Sequence, residues 1–148
     1  MVGCILTGHG TFAEGLGGAL EMVGGPQESF EAVPFHEDEA GTFGEKLASA
    51  ISQMASAWDG VLVFCDLMGG TPFNQAMMAS ASIPNVEVVT GANLPMLLEV
   101  LSVRTPASTL DELAECAVTA GRFGVDRKKL ELAEDSDDDD LFGEEDGL

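Results

Sequence analysis

The chain has 148 residues, of which 26 are acidic and six are Lys or Arg, so its formal net charge is −20 at pH 7. This length suits one domain that buries a core without disulfides or a structural metal, and the charge disfavours nucleic acid and anionic membranes as direct partners. We expect a cytoplasmic protein, because the sequence shows neither a basic, apolar leader nor an apolar run that could span a bilayer. The three cysteines lack paired spacing and are expected to be reduced core residues.

Apolar periodicity predicts an alternation of strands and helices. In chain order the predicted elements are strand 2–7, helix 12–23, strand 30–35, helix 40–58, strand 60–65, helix 73–81, strand 86–90 and helices 94–101 and 110–123. The run 60–65 is continuously apolar, which is typical of a strand buried on both faces of a parallel sheet. The alternation predicts an α/β fold with a mainly parallel sheet of about four strands and helices on both faces.

The C-terminal part of the sequence is treated separately. Residues 125–132 form either a final edge strand or the start of a tail, and the sequence does not decide between them. Residues 134–148 hold nine acidic residues and no basic one. Such a segment repels itself and has little apolar area to bury, so we expect a domain over residues 1–132 and an acidic, disordered tail over 133–148.

Ligand chemistry in parallel α/β folds collects at the carboxyl ends of the strands. His9 follows the first strand between two glycines, and a neutral imidazole can act as a nucleophile near neutral pH. Asp66 follows the third strand. If these two strands are neighbours, Asp66 lies beside His9, fixes the ring tautomer and stabilises a charged or phosphorylated ring.

A second motif, Gly69-Gly70-Thr71-Pro72, leads from the third strand into a helix. Glycines expose amide N–H groups, Thr71 adds a hydroxyl, and Pro72 suits the first helical turn, so the motif predicts a cradle for phosphoryl oxygens. Alone, such a motif is more often just a tight strand-to-helix connection, and it gains weight only beside His9 and Asp66. Nucleoside triphosphate and dinucleotide motifs are missing, as is metal-ligand spacing, so we expect no cofactor and no metal.

Other polar residues are weaker candidates. His36 is interpreted as a solvated loop residue, because the three acids that follow it would repel phosphate. Arg104 faces either the site or the surface, and Asn93 is expected to shape the loop after the fourth strand. Methionines 54, 77, 78 and 96 are expected to pack in the core or an interface.

Three motifs, Gly8-His9-Gly10, Asp66-Leu67-Met68-Gly69-Gly70-Thr71-Pro72-Phe73-Asn74 and Gly91-Ala92-Asn93-Leu94-Pro95-Met96-Leu97, resemble the IIA components of the mannose-type (mannose, fructose, sorbose) sugar phosphotransferase system. The resemblance spans about residues 1–125. It implies that His9 accepts a phosphoryl group from HPr and passes it to a IIB component during sugar import through a membrane IIC/IID complex. It also implies that Asp66 supports the ring and that Thr71 and nearby amides contact the phosphoryl group.

The resemblance further implies a homodimer, because relatives exchange a C-terminal strand, which would give residues 125–132 a role. Some relatives carry an aromatic residue at Met68 and serine at Thr71, and many continue into a fused IIB domain, so a separate IIB protein is expected here. Alternatives are the phosphocarrier subunit of a dihydroxyacetone kinase, a flavodoxin-like small-ligand module, and a purely regulatory protein. The transported sugar is not readable from the sequence.

Overall fold

Strands and helices alternate along the chain as its periodicity predicts. The structure is a computed structural model and describes residues 1–132. Its elements are β1 (Gly3–His9), α1 (Phe12–Gly24), β2 (Phe30–Phe35), a 3₁₀ turn (Glu37–Glu39), α2 (Phe43–Ala57), β3 (Val61–Cys65), α3 (Gly70–Ser82), β4 (Val86–Val89), α4 (Leu94–Val103) and α5 (Leu110–Phe123).

The four strands form one parallel sheet in the order β2-β1-β3-β4. This confirms the predicted α/β class. Strand β1 is an inner strand that pairs with β2 on one side and with β3 on the other, with Thr7 opposite Cys65 and His9 opposite Phe35. The loops that follow β1, β2 and β3 therefore meet at one edge of the sheet.

The two inner strands are buried on both faces, which explains their continuous apolar sequences. On one face Leu6 and Phe64 pack with residues of α1, α4 and α5, and on the other Ile5 and Val63 pack with residues of α2 and α3. Of the cysteines, Cys4 and Cys65 are fully buried, whereas Cys116 is only partly buried; all three are free thiols.

Two helices begin at other residues than the sequence predicts. Helix α2 begins at Phe43 rather than residue 40, because Glu37–Glu39 form a 3₁₀ turn in which the carboxylate of Glu39 accepts the N–H of His36 at 3.1 Å. Helix α3 begins at Gly70, three residues earlier than predicted, because Pro72 fits the first helical turn. The later start of α2 lengthens the loop after β2, and the earlier start of α3 shortens the loop after β3. Both loops lie at the carboxyl edge of the sheet.

Residues 125–132 form no strand and no helix in the part of the chain that the structure describes. They are exposed throughout, so the alternative of an edge strand paired within this chain is wrong. The predicted disordered tail, residues 133–148, lies outside the described residues. Among helices within residues 1–132, none is long and apolar enough to cross a membrane.

The sequence did not decide whether Arg104 faces the site or the surface. In the structure Arg104 lies at the opposite end of the sheet from His9. Its guanidinium donates to the carbonyl of Val2 at 2.8 Å, of Glu28 at 2.6 Å and of Ser29 at 3.3 Å. One side chain at the end of α4 thus joins the segments that lead into β1 and β2. Its role is structural.

Candidate functional site

His9 is the last residue of β1, at the carboxyl edge of the sheet. Its side chain is 46% exposed, although every other residue of this strand is buried. The ring therefore stands on rigid backbone and is still open to an approaching molecule. A nucleophile that serves another protein needs this combination of a fixed position and access.

Asp66 is the first residue after β3, and the pairing of β1 with β3 brings it to His9. Its Oδ2 accepts the backbone N–H of His9 at 2.9 Å and lies 2.8 Å from His9 Nδ1, while its Oδ1 accepts the N–H of Leu67 at 2.9 Å. An ionised carboxylate only accepts hydrogen bonds, so the ring proton is held on Nδ1. Nε2 then carries the free lone pair.

Asp66 is 12% exposed, and burial by itself would raise the pKa of its carboxyl. The backbone N–H of His9, the His9 ring and the N–H of Leu67 together outweigh burial and hold the pKa of Asp66 below its usual range. The carboxylate is consequently ionised at neutral pH. It can offset positive charge that develops on the imidazole.

The amino end of α3 faces the free nitrogen of His9. A Cβ atom on Gly70 would lie 3.1 Å from Nε2 and 2.9 Å from Cε1 of His9. Gly70 and its neighbour Gly69 have φ values of +79° and +88°, which glycine adopts without strain. The amide N–H groups of Gly69, Gly70 and Thr71 lie in or before the first turn, where helix carbonyls cannot accept from them. N–H groups at the amino end of a helix are suited to binding an anion, and Gly70 lies beside Nε2.

Gly8 explains how the carboxylate comes so close to β1. A Cβ atom there would lie 2.5 Å from Cδ1 of Phe12 and 2.9 Å from Cγ of Asp66. Any larger residue would displace the side chain that holds His9. Gly8 is thus needed for the packing of Asp66 against β1 as well as for access to His9.

Phe35 is a neighbour of His9 that sequence reasoning missed. Its ring makes an edge contact with the imidazole, with ring centroids 5.9 Å apart and the planes at 70°. The signal was available, since the predicted strand 30–35 ends at this residue. The sequence does not show that the second strand also pairs with the first, and it is this pairing that brings Phe35 to His9.

Other candidates take different positions. His36 Nε2 lies 3.2 Å from a carboxylate oxygen of Glu14, in an exposed contact between a loop and α1. Asn93 caps α4 by accepting the N–H of Met96 at 3.0 Å, which agrees with its predicted loop-shaping role. Thr71 is the second residue of α3, and its hydroxyl makes no hydrogen bond within residues 1–132. The described chain contains no cluster of side chains that could hold a metal ion.

Comparisons with known proteins identify the family of the chain. Residues 3–118 match the family model EIIA-man, described as "PTS system fructose IIA component". The chain belongs to the mannose family of phosphotransferase-system IIA components. IIA components of this family are phosphotransferase relay proteins that serve sugar transport.

Individual relatives support the assignment. The chain is 33% identical over 141 residues to the "PTS system fructose-specific EIIA component" of Bacillus subtilis, with 94% of this chain and 96% of that protein covered. It is 35% identical over 134 residues to the "PTS system mannose-specific EIIAB component" of Escherichia coli, covering 90% of this chain and 41% of the relative. The chain therefore spans about two fifths of the length of those EIIAB proteins.

A solved structure shows the same fold. The mannose/sorbose specific IIA subunit of Enterococcus faecalis superposes with a TM-score of 0.77 at 31% identity, covering 87% of this chain and 96% of that chain. The parallel sheet and its flanking helices are thus those of a IIA component. The family is established by sequence and by fold together.

Proposed function

We propose that His9 carries a phosphoryl group between two proteins, accepting it from HPr and passing it to a separate IIB component. The observation that carries this proposal is the orientation of the ring: Nδ1 lies 2.8 Å from Asp66 Oδ2, and Nε2 faces the amino end of α3. The phosphocarrier domain comprises residues 1–132. Its site is cytoplasmic in this proposal, and a membrane IIC/IID complex takes part only through IIB.

The transfer needs no proton to enter or leave the site. The lone pair of His9 Nε2 attacks phosphorus as the phosphorus–nitrogen bond of the donor's phosphohistidine breaks, and that electron pair returns to the donor ring. His9 keeps its Nδ1 proton, which Asp66 accepts. Transfer to IIB is the same exchange in reverse, with His9 as the leaving group. Such a step depends on in-line positioning and on compensation of phosphoryl charge.

The chain supplies charge compensation from two directions. Amide N–H groups of Gly69, Gly70 and Thr71, together with the dipole of α3, stabilise the phosphoryl oxygens. The carboxylate of Asp66 stabilises the cationic phosphorylated ring through Nδ1. The hydroxyl of Thr71 adds a further donor in this proposal, since it has no acceptor within residues 1–132.

Two observations support a homodimer. The outer edge of β4 pairs with no strand in the described chain, and beside it runs a groove of about 650 Å³ whose lining includes Val88, Met96 and Val118. Acidic residues Glu87 and Asp111 also line it. Residues 125–132 supply complementary chemistry, because three of the six basic residues stand there with two exposed leucines. We propose that this segment of one protomer covers the groove of its partner.

The relay is tested with purified enzyme I, HPr and labelled phosphoenolpyruvate. Wild type should acquire acid-labile phosphate, His9→Ala should acquire none, and His36→Ala should be labelled like wild type. Chasing labelled protein with a cognate IIB should empty it. Absent labelling, or full labelling of His9→Ala, contradicts phosphorylation of His9, whereas label that never reaches IIB favours a purely regulatory protein.

The homodimer is tested by analytical ultracentrifugation of the full chain. Wild type should sediment as a dimer, and the double variant Leu130→Asp, Leu132→Asp should sediment as a monomer at the same concentration. A wild-type monomer, or a dimer that persists in the double variant, would contradict the proposed contact.

A further inference from the structure

The hydrogen bonds from Asp66 hold only one edge of the His9 ring. Both the backbone N–H and Nδ1 of His9 contact the same oxygen, Oδ2. A ring held at one nitrogen can still tilt about that contact, and a tilt moves Nε2 on the opposite edge. In-line phosphoryl transfer requires Nε2 to stay directed at the incoming phosphorus, so a second constraint is needed.

Phe35 provides a contact in the required place. Its ring centroid lies 5.9 Å from that of His9, with the two planes at 70°, which is within the favoured range for an edge-to-face pair. Strand pairing sets the contact, because His9 and Phe35 are register partners in β1 and β2. The carbonyl of Phe35 also accepts the N–H of Gly10 at 2.8 Å. Both residues are therefore fixed by backbone as well as by side chains.

Phe35 is itself supported from behind. Its ring packs on Phe43 with centroids 4.7 Å apart, and Phe43 is completely buried among the core residues of α2. The carbonyl of the preceding residue, Pro34, accepts from Lys46 Nζ at 3.1 Å. This chain of contacts connects the imidazole to the core through one aromatic ring. Movement of that ring would require movement of the core.

We propose that Phe35 is a positioning residue, which limits the tilt of the His9 imidazole so that Nε2 stays aligned for phosphoryl transfer. The proposal rests on the proposed phosphorylation of His9. Phe35 acts through the imidazole and has no chemical role. Its loss should slow transfer within the complex with HPr and should leave the affinity for HPr unchanged.

Three variants separate positioning from packing. Phe35→Leu removes the ring and keeps apolar volume, whereas Phe35→Tyr keeps the ring. Phe30→Leu is the matched control, because Phe30 begins the same strand and packs on the opposite face of the sheet, five residues and about 16 Å from Phe35. Circular dichroism and thermal unfolding would establish that all three fold.

Two readouts test the proposal. Phosphorylation by phosphorylated HPr is followed as kcat and KM, and we expect Phe35→Leu to lower kcat about tenfold at constant KM. Phe35→Tyr and Phe30→Leu should keep the wild-type kcat. Independently of any transfer, carbon-13 relaxation at His9 Cε1 should show a more mobile ring in Phe35→Leu than in the other proteins.

The outcomes distinguish this proposal from the one on which it rests. If wild type is not phosphorylated on His9, the relay itself is wrong, and the relaxation data alone then decide whether Phe35 holds the ring. If wild type is labelled but Phe35→Leu matches it in kcat and in ring mobility, the positioning role is wrong. A raised KM with unchanged kcat would make Phe35 a docking residue and would also overturn the proposal.

Discussion

At the amino ends of the strands the guanidinium of Arg104 donates to three carbonyls, whereas at the carboxyl ends the half-exposed ring of His9 faces amide groups that no helix carbonyl satisfies. Both regions belong to the same four-stranded sheet. At one end three backbone carbonyls are satisfied by Arg104, and at the other a set of backbone N–H donors has no helix carbonyl as acceptor. Backbone N–H groups that lack an acceptor and are held on rigid backbone can bind an anion.

The difference also separates stability from activity. A residue at the amino end should affect unfolding more than phosphoryl transfer, and a residue at the carboxyl end should do the reverse.

The largest effect is expected for Asp66→Asn. The amide can present its NH₂ group to the ring, which disfavours the Nδ1–H tautomer and removes the negative charge that supports a phosphorylated imidazole. We expect the rate of phosphorylation by HPr to fall about 1,000-fold, by comparison with the loss when an aspartate that orients a histidine is replaced. Rapid-quench labelling measures this rate. A loss below about threefold would show that the carboxylate is not needed for transfer, a factor worth about 0.6 kcal/mol.

Arg104→Ala should act on stability instead. Three carbonyls lose a charged donor, so the free energy of unfolding should fall by about 3 kcal/mol. Arg104→Lys keeps the charge but lacks the planar fork and should lie between the two. Urea unfolding gives the stabilities, and labelling at 25 °C should proceed at the wild-type rate in all three proteins. Slower phosphoryl transfer in a stably folded Arg104→Ala variant would show that the amino ends of the strands affect activity as well as stability.

Gly70→Ala should reduce phosphorylation about tenfold, because its Cβ would lie 2.9 Å from His9 Cε1 and would displace the ring. Gly91→Ala is the matched control. Gly91 also has a positive φ, +72°, and a Cβ there would meet no atom within 4 Å. Both variants should lose about 1–2 kcal/mol of stability from backbone strain, and only Gly70→Ala should transfer slowly. Equal rates in the two variants would show that backbone strain, and not contact with His9, controls the site.

The smallest expected effect is on the stability of the protein at acidic pH. The pKa of Asp66 in the folded protein lies below the 3.8 of a free aspartate, so its contribution to stability is complete above about pH 4 and is lost as pH falls through the folded pKa. Wild type should therefore lose more stability than Asp66→Asn between pH 5 and pH 3 in parallel urea titrations. Parallel losses in the two proteins would show that the hydrogen bonds to Asp66 do not favour its ionised form.

Local pattern was sufficient to predict each strand and α-helix within residues 1–132, because the inner strands are continuously apolar and the helices are amphipathic. It also placed Asp66 beside His9 on the condition that the first and third strands are neighbours, which the structure shows them to be. The structure brings His9 and Asp66 into contact, while the roles of all the site residues stay predictions. The helix starts at Phe43 and Gly70 differ from the predicted ones, because a hydrogen bond to the side chain of Glu39 decides the first and the fit of Pro72 in the first helical turn decides the second.

Contacts between residues that are far apart in the sequence could not be predicted from local sequence patterns. Arg104 and the carbonyl of Val2 are 102 residues apart, and no periodicity relates them. The contact between Phe35 and His9 depends on the order of strands, which places β2 next to β1 on the side opposite β3. The positions of the strands along a sequence do not determine their order in the sheet.

We propose that the phosphoryl group is carried on a single nitrogen atom, Nε2 of His9. The most direct test is a phosphorus–nitrogen correlation spectrum of nitrogen-15-labelled protein after phosphorylation by HPr. Coupling of phosphorus to His9 Nε2, with a proton retained on Nδ1, is the result that the geometry with Asp66 predicts. Coupling to His9 Nδ1, or to either nitrogen of His36, would contradict it.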